Sequence, residues 1–123
     1  MDTTSHLLVV TDDLFFSAKI GETARQVGVS AVFVSDGDEL DARIQQAAPA
    51  LIVVDLGLMK ADSISLIERL KQHPLTRTIP VIAYGSHVDH DLMARAARAG
   101  CDQVLPRSAF SQRLPGLLRA ALG

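Results

Sequence analysis

The chain has 123 residues, which fits one compact domain. Its residues are 48% apolar and 21% charged, which favours a substantial folded core over disorder. A formal net charge of −2 and a single cysteine exclude a basic nucleic-acid footprint and an intrachain disulfide.

At the N-terminus, Met1-Asp2-Thr3-Thr4-Ser5 lacks the basic region and following long apolar stretch of a signal peptide. The first apolar run, Leu7–Val10, is followed by helically spaced Phe15, Phe16, Ile20, Ala24 and Val27, with Gly28 as a stop. A second run, Ala31–Val34, precedes Leu40, Ile44 and Ala47, and Pro49 marks the exit. The third, Leu51–Val54, carries three β-branched residues without alternation, as a strand buried on both faces does. After it, Ile64, Ile67 and Leu70 form a stripe ended by His73-Pro74. The fourth run, Val81–Tyr84, leads to Leu92, Ala96 and Ala99, stopped by Gly100. A weaker fifth run, Gln103–Leu105, precedes Phe110, Leu114, Leu117, Leu118 and Leu122. Pro115 falls inside that last pattern, which leaves two expectations: it sits in the first turn, or the helix begins later than the pattern does.

Strand and helix thus alternate five times. The expected fold is α/β, a five-stranded doubly wound parallel sheet with helices on both faces and right-handed crossovers. No linker or repeat interrupts the pattern, so residues 1–123 are expected to form one domain with no output domain attached. No segment is apolar for long enough to span a membrane. With its lone Cys101 expected as a small packed residue after a turn, the chain suits a reduced, cytoplasmic setting. Arg95, Arg98, Arg107, Arg113 and Arg119 gather in the last third and are expected mainly on solvated helix faces.

In an open sheet of this kind, ligands gather at the carboxyl ends of the strands. Thr11, Asp12 and Asp13 follow the first strand, Ser35 and Asp36 the second, and Asp55 the third. Gly85, Ser86 and His87 follow the fourth, and Pro106 and Arg107 the fifth. Two carboxylates side by side need a cation or a proton, so Asp12 with Asp55 suits a hard ion such as Mg²⁺. Arg107 suits a phosphate or Asp55 itself, and a carboxylate can act as a nucleophile to form an acyl phosphate. His87, Asp89, His90 and Asp91 make a cluster of zinc-ligand types, but Asp89 fits a helix N-cap better.

The segments "LLVVTDD", "LIVVDLGL", "IPVIAYGS" and "AGCDQVLPRS" resemble the receiver domain of bacterial two-component response regulators. The resemblance covers essentially the whole chain and is nearest to the free-standing, chemotaxis-type receivers. It implies a flavodoxin-like fold with strand order 2-1-3-4-5. It also implies phosphoryl transfer from a histidine kinase or phosphotransfer protein to Asp55. By the same resemblance, Asp12, Asp55 and the Gly57 carbonyl would hold Mg²⁺. Thr11 stands where the first acid of the usual pair belongs, and Asp13 is expected to begin the helix and point elsewhere.

The usual Thr or Ser after the fourth strand is replaced by Gly85, with Ser86 as the available hydroxyl one residue later. Val104 takes the aromatic switch position, Arg107 the lysine position and Ser108 the following proline. Met59 and Lys60 stand in place of the usual Pro-Gly turn. The implied output is altered binding of a downstream protein on the face of the fourth helix, fifth strand and fifth helix, where Arg95, Arg98 and Arg113 could lie. Monomer and homodimer, paired through the last helices, both stay open.

The alternative is a pseudo-receiver, an interaction module in which Arg107 pairs permanently with Asp55 and phosphate is not needed. An enzyme or flavin carrier on the same fold fits less well. "TDDLFFS" lacks the glycine of a flavin phosphate loop, and Asp12 and Asp13 are adjacent rather than separated by one residue, as a dehalogenase-type phosphatase requires.

Overall fold

The computed structural model describes residues 6–122, so the reading of Met1–Ser5 lies outside the described residues. Five strands alternate with five helices: β1 (His6–Val10), α1 (Leu14–Val27), β2 (Ser30–Val34), α2 (Gly37–Gln46), β3 (Leu51–Asp55), α3 (Ser63–Gln72), β4 (Val81–Gly85), α4 (His90–Ala99), β5 (Gln103–Pro106) and α5 (Arg107–Leu122). The sheet is wholly parallel, in the order β2-β1-β3-β4-β5. Among the described residues no helix is long and apolar enough to cross a membrane.

Side-chain alternation along each strand divides the core in two. Leu8, Val10, Ile52, Val54, Val81 and Ala83 face α2, α3 and α4, where they meet Leu40, Ile44, Ile64, Ile67, Leu70 and Ala96. Leu7, Val9, Leu51, Val53, Ile82, Tyr84 and Leu105 face α1 and α5, against Phe16, Ile20, Ala24, Phe110, Leu114 and Leu118. β3 is the central strand, and all five of its residues are buried. This is why it reads as an unbroken apolar run: neither face meets water.

Aspartates start four of the helices. Asp13, Asp36, Asp62 and Asp89 each accept a hydrogen bond from a first-turn backbone N–H, satisfying donors that the helix itself cannot. Gly28 and Gly100 close α1 and α4 in the left-handed region, with φ of 79° and 115°. Their backbone N–H groups return to carbonyls of the last turn.

Three expectations need correction. Phe15 is 92% exposed, because only one of two successive helical residues can face the sheet, and Phe16 is the one that does. Ala47 is an exposed C-cap residue and not part of the α2 stripe. Pro115 lies well inside α5 and not in its first turn. Ser111, one turn earlier, is left without the N–H that would have bonded its carbonyl.

Candidate functional site

Asp55 is the last residue of β3 and only 2% exposed. Burial of a carboxylate requires partners, and both of its oxygens have one. Oδ1 accepts from the Gly57 backbone N–H at 2.8 Å, and Oδ2 accepts from the Thr11 hydroxyl at 2.8 Å. The register explains the second contact. Val10 pairs with Val54, so Thr11 follows in line with Asp55 and faces the same side of the sheet. The row continues through Tyr84, paired with Asp55, and Leu105, paired with Tyr84. Thr11, itself buried, also accepts from the Asp13 N–H at 3.1 Å.

Asp12 is half-buried, and its Oδ2 accepts from the backbone N–H groups of Met59 and Lys60 at 2.8 and 3.2 Å. Asp12 and Asp55 therefore grip the same loop after β3, one at each end. Asp13 is turned away, its Oδ1 accepting from the Phe16 N–H as the α1 N-cap. Gly57 is exposed beside them, and its carbonyl is a hard oxygen at the same edge. Two carboxylates and one carbonyl match what Mg²⁺ takes from a protein, since the ion keeps several waters and rejects softer ligands.

Arg107, the first residue of α5, reaches back toward this edge. A Cβ built on Gly57 would lie 3.2 Å from Asp55 Oδ1 and 3.9 Å from Arg107 Nη2, so carboxylate and guanidinium flank the same glycine. They form no ion pair within 4.0 Å among the described residues, whose ion pairs are Arg25–Glu22, Arg69–Asp41 and Lys71–Asp102. The guanidinium is held instead by aromatic faces, its carbon 5.8 Å from the ring centres of Phe16 and of Tyr84. Its Nε is buried without a hydrogen-bond partner among the described residues.

Gly85 ends β4 against Leu56: a Cβ there would meet Leu56 Cβ and Cδ1 at 3.3 Å. The hydroxyl of Ser86 accepts weakly from the Val88 N–H at 3.4 Å and lies along a cleft of about 420 Å³ with Phe16, His87, Arg107 and Ser108. Val104 is half-buried on the opposite sheet face, packed with the α2–α4 core. Met59 and Lys60 are exposed, as are Arg95, Arg98 and Arg113. His87 and His90 are exposed and Asp89 caps α4. Among the described residues no three His, Cys, Asp or Glu side chains converge as a metal cluster. Burial pushes the Cys101 thiol up to about 12, with Asp102 adding to the shift, so little thiolate exists at neutral pH.

Sequence patterning did not find the Thr11–Asp55 bond or the place of Tyr84. The signal for both was register, because in a parallel pair residues in line share a face.

A family model for the response regulator receiver domain matches residues 7–119. The gliding motility regulatory protein of Myxococcus xanthus is 32% identical over 99 residues, which are 80% of this chain and 13% of that protein. The phosphate regulon transcriptional regulatory protein PhoB of Rhizobium meliloti is 25% identical over 116 residues, 94% of this chain and 51% of that one. The chain thus spans about half or less of the length of these curated relatives. The phosphorylated cyanobacterial phytochrome response regulator RcpA superposes with a TM-score of 0.85 over 98% of this chain and 96% of its own, at 22% identity.

Proposed function

The chain belongs to the response regulator receiver family, and we propose that it accepts a phosphoryl group on Asp55 and signals by altered protein binding. Receiver domains are signalling domains that take their phosphoryl group from histidine kinases or phosphotransfer proteins. In the proposed step an Asp55 oxygen attacks the phosphorus of a phosphohistidine. A P–O bond forms, the P–N bond breaks, and the imidazole leaves with the bonding pair and picks up a proton.

The observation that carries this reading is a buried carboxylate at a strand end, bound by one hydroxyl and one amide, with a guanidinium facing it across Gly57. Thr11 and the Gly57 N–H hold the carboxylate in one orientation. Arg107, fixed by Phe16 and Tyr84, brings positive charge to where phosphoryl oxygens would gather. Asp12, Asp55 and the Gly57 carbonyl are the residues that would hold Mg²⁺. Bound there, the ion would offset the charge of the two carboxylates and the incoming group. With Thr11 neutral, that site has one acid fewer than an acidic pair would give it.

Incubation with acetyl phosphate and Mg²⁺ is expected to add one phosphoryl mass at Asp55, and Asp55→Asn to abolish the gain. An unmodified wild-type chain would overturn the reading. One observation favours the second reading, a phosphorylation-independent interaction module: Leu56 occupies the space a side chain at position 85 would need. That reading expects Asp55→Ala to leave partner affinity unchanged.

A further inference from the structure

Tyr84 is fully buried, yet its hydroxyl has no hydrogen-bond partner among the described residues. A buried polar group without a partner is uncommon and marks a place where a partner arrives in another state. The phenol does not stand alone in the fold. Its ring lies 4.8 Å from Phe110 and 4.7 Å from Phe16, centre to centre, with the Arg107 guanidinium 5.8 Å away. Burial holds it well above the ordinary phenol pKa, and Asp55 adds to this, so it stays a neutral donor. Thr11 borders it and favours its ionised form, though not as a hydrogen-bond partner of acceptable geometry.

Thr11 is the intermediary. Its single proton is committed to Asp55 Oδ2, and one of its two lone pairs to the Asp13 N–H. We propose that Thr11 and Tyr84 form a hydroxyl relay that reads the charge on Asp55, with Tyr84 a positioning residue that passes the state to α1 and α5. While Asp55 is ionised, Asp55 and Asp13 hold the Thr11 hydroxyl in an orientation whose remaining lone pair makes no hydrogen bond to the phenol. When the charge on Oδ2 is removed, the charge-assisted bond weakens, Thr11 turns, and Tyr84 gains a partner. The ring then shifts against Phe16 on α1 and against Phe110 and Arg107 on α5. The readout lies on the sheet face opposite Val104, away from the α4 side. The proposal rests on the receiver reading only for what removes the charge in nature; the relay itself needs just the carboxylate.

Tyr84 is the only tyrosine in the chain, so Cζ labelling of tyrosine gives one resonance at this site. Spectra would be recorded on the full chain, free and with Mg²⁺ and beryllofluoride, together with Asp55→Asn, Thr11→Val and Thr11→Ser. The Tyr84 resonance is expected to move in Asp55→Asn and on beryllofluoride addition. It should lose that response in Thr11→Val and keep it in Thr11→Ser, with amide shifts in α1 and α5 following the same pattern. A Tyr84 resonance that stays in place in Asp55→Asn while the Gly57 amide moves would overturn the relay. So would an undiminished response in Thr11→Val. If the wild-type Gly57 amide ignores beryllofluoride, the phosphoacceptor reading fails, and the relay is decided by Asp55→Asn alone.

Discussion

Gly85→Ser would place a hydroxyl where receivers usually carry one, and the structure says what it must displace. The new Cβ would meet Leu56 Cβ and Cδ1 at 3.3 Å, closer than ordinary van der Waals contact. Leu56 is itself 4% exposed and has little room to withdraw. Overpacking of this kind costs about 1–3 kcal/mol. Replacing a strand glycine returns about 0.5–1 kcal/mol of that through reduced chain entropy in the unfolded state. The net expectation is a loss of about 1–2 kcal/mol, read as a fall of roughly 0.5–1 M in the urea midpoint by far-UV circular dichroism. Leu56→Ala alone should cost about 2–5 kcal/mol. The double variant should lose at least ~1 kcal/mol less than the two losses added, because truncation removes the Cδ1 and Cγ contacts and leaves only the Leu56 Cβ against the new Cβ. Additivity within about 0.5 kcal/mol, or a Gly85→Ser chain as stable as the parent, would refute the steric reasoning.

Other substitutions test the electrostatics. Thr11→Asp sets a second buried carboxylate against Asp55, a repulsion of order 2–4 kcal/mol at an effective dielectric near 20. Its melting temperature should fall without Mg²⁺ and recover with it by more than the wild type gains; indifference to Mg²⁺ would count against the site. Asp62→Ala removes the α3 N-cap and should cost about 1 kcal/mol in urea unfolding. Backbone and side-chain hydrogen bonds from Ser65 hold the Asp62 carboxyl below its ordinary value of 3.8, with Ile64 and Arg95 adding. A depressed folded-state pKa means stability that is present above that value and lost as pH falls through the folded one. The gap between wild type and Asp62→Ala should therefore narrow only at the acid end of a pH series. Tyr84→Phe deletes an unpaired buried hydroxyl and should leave the chain as stable or up to about 1 kcal/mol more so. A clear loss would mean that the hydroxyl already has a partner.

The fold was legible because β1 to β5 differ so plainly from what lies between them. Central β3 shows no alternation, and Asp13, Asp36, Asp62 and Asp89 stand where helices need acceptors. Asp55 was legible for the same reason, as the first polar residue after the most buried run. What escaped was direction. Phe15 and Phe16 are both apolar and adjacent, and only the helix phase tells them apart. Thr11 and Tyr84 lie 73 residues apart in sequence, counting 84 − 11, and meet only because parallel pairing puts both in line with Asp55. No local pattern records a row that crosses three strands.

Pro115 gives α5 a seam. Without an N–H at that position, the turn that begins at Ser111 lacks one rung, and Ser111 also borders the cleft beside Arg107. The missing rung lies between Phe110 and Leu118, which pack on the same sheet face. Amide exchange should report two cooperative units along α5 rather than one. A disturbance entering through Arg107 and Phe110 would be damped at the seam, leaving the far end of the helix as a fixed anchor.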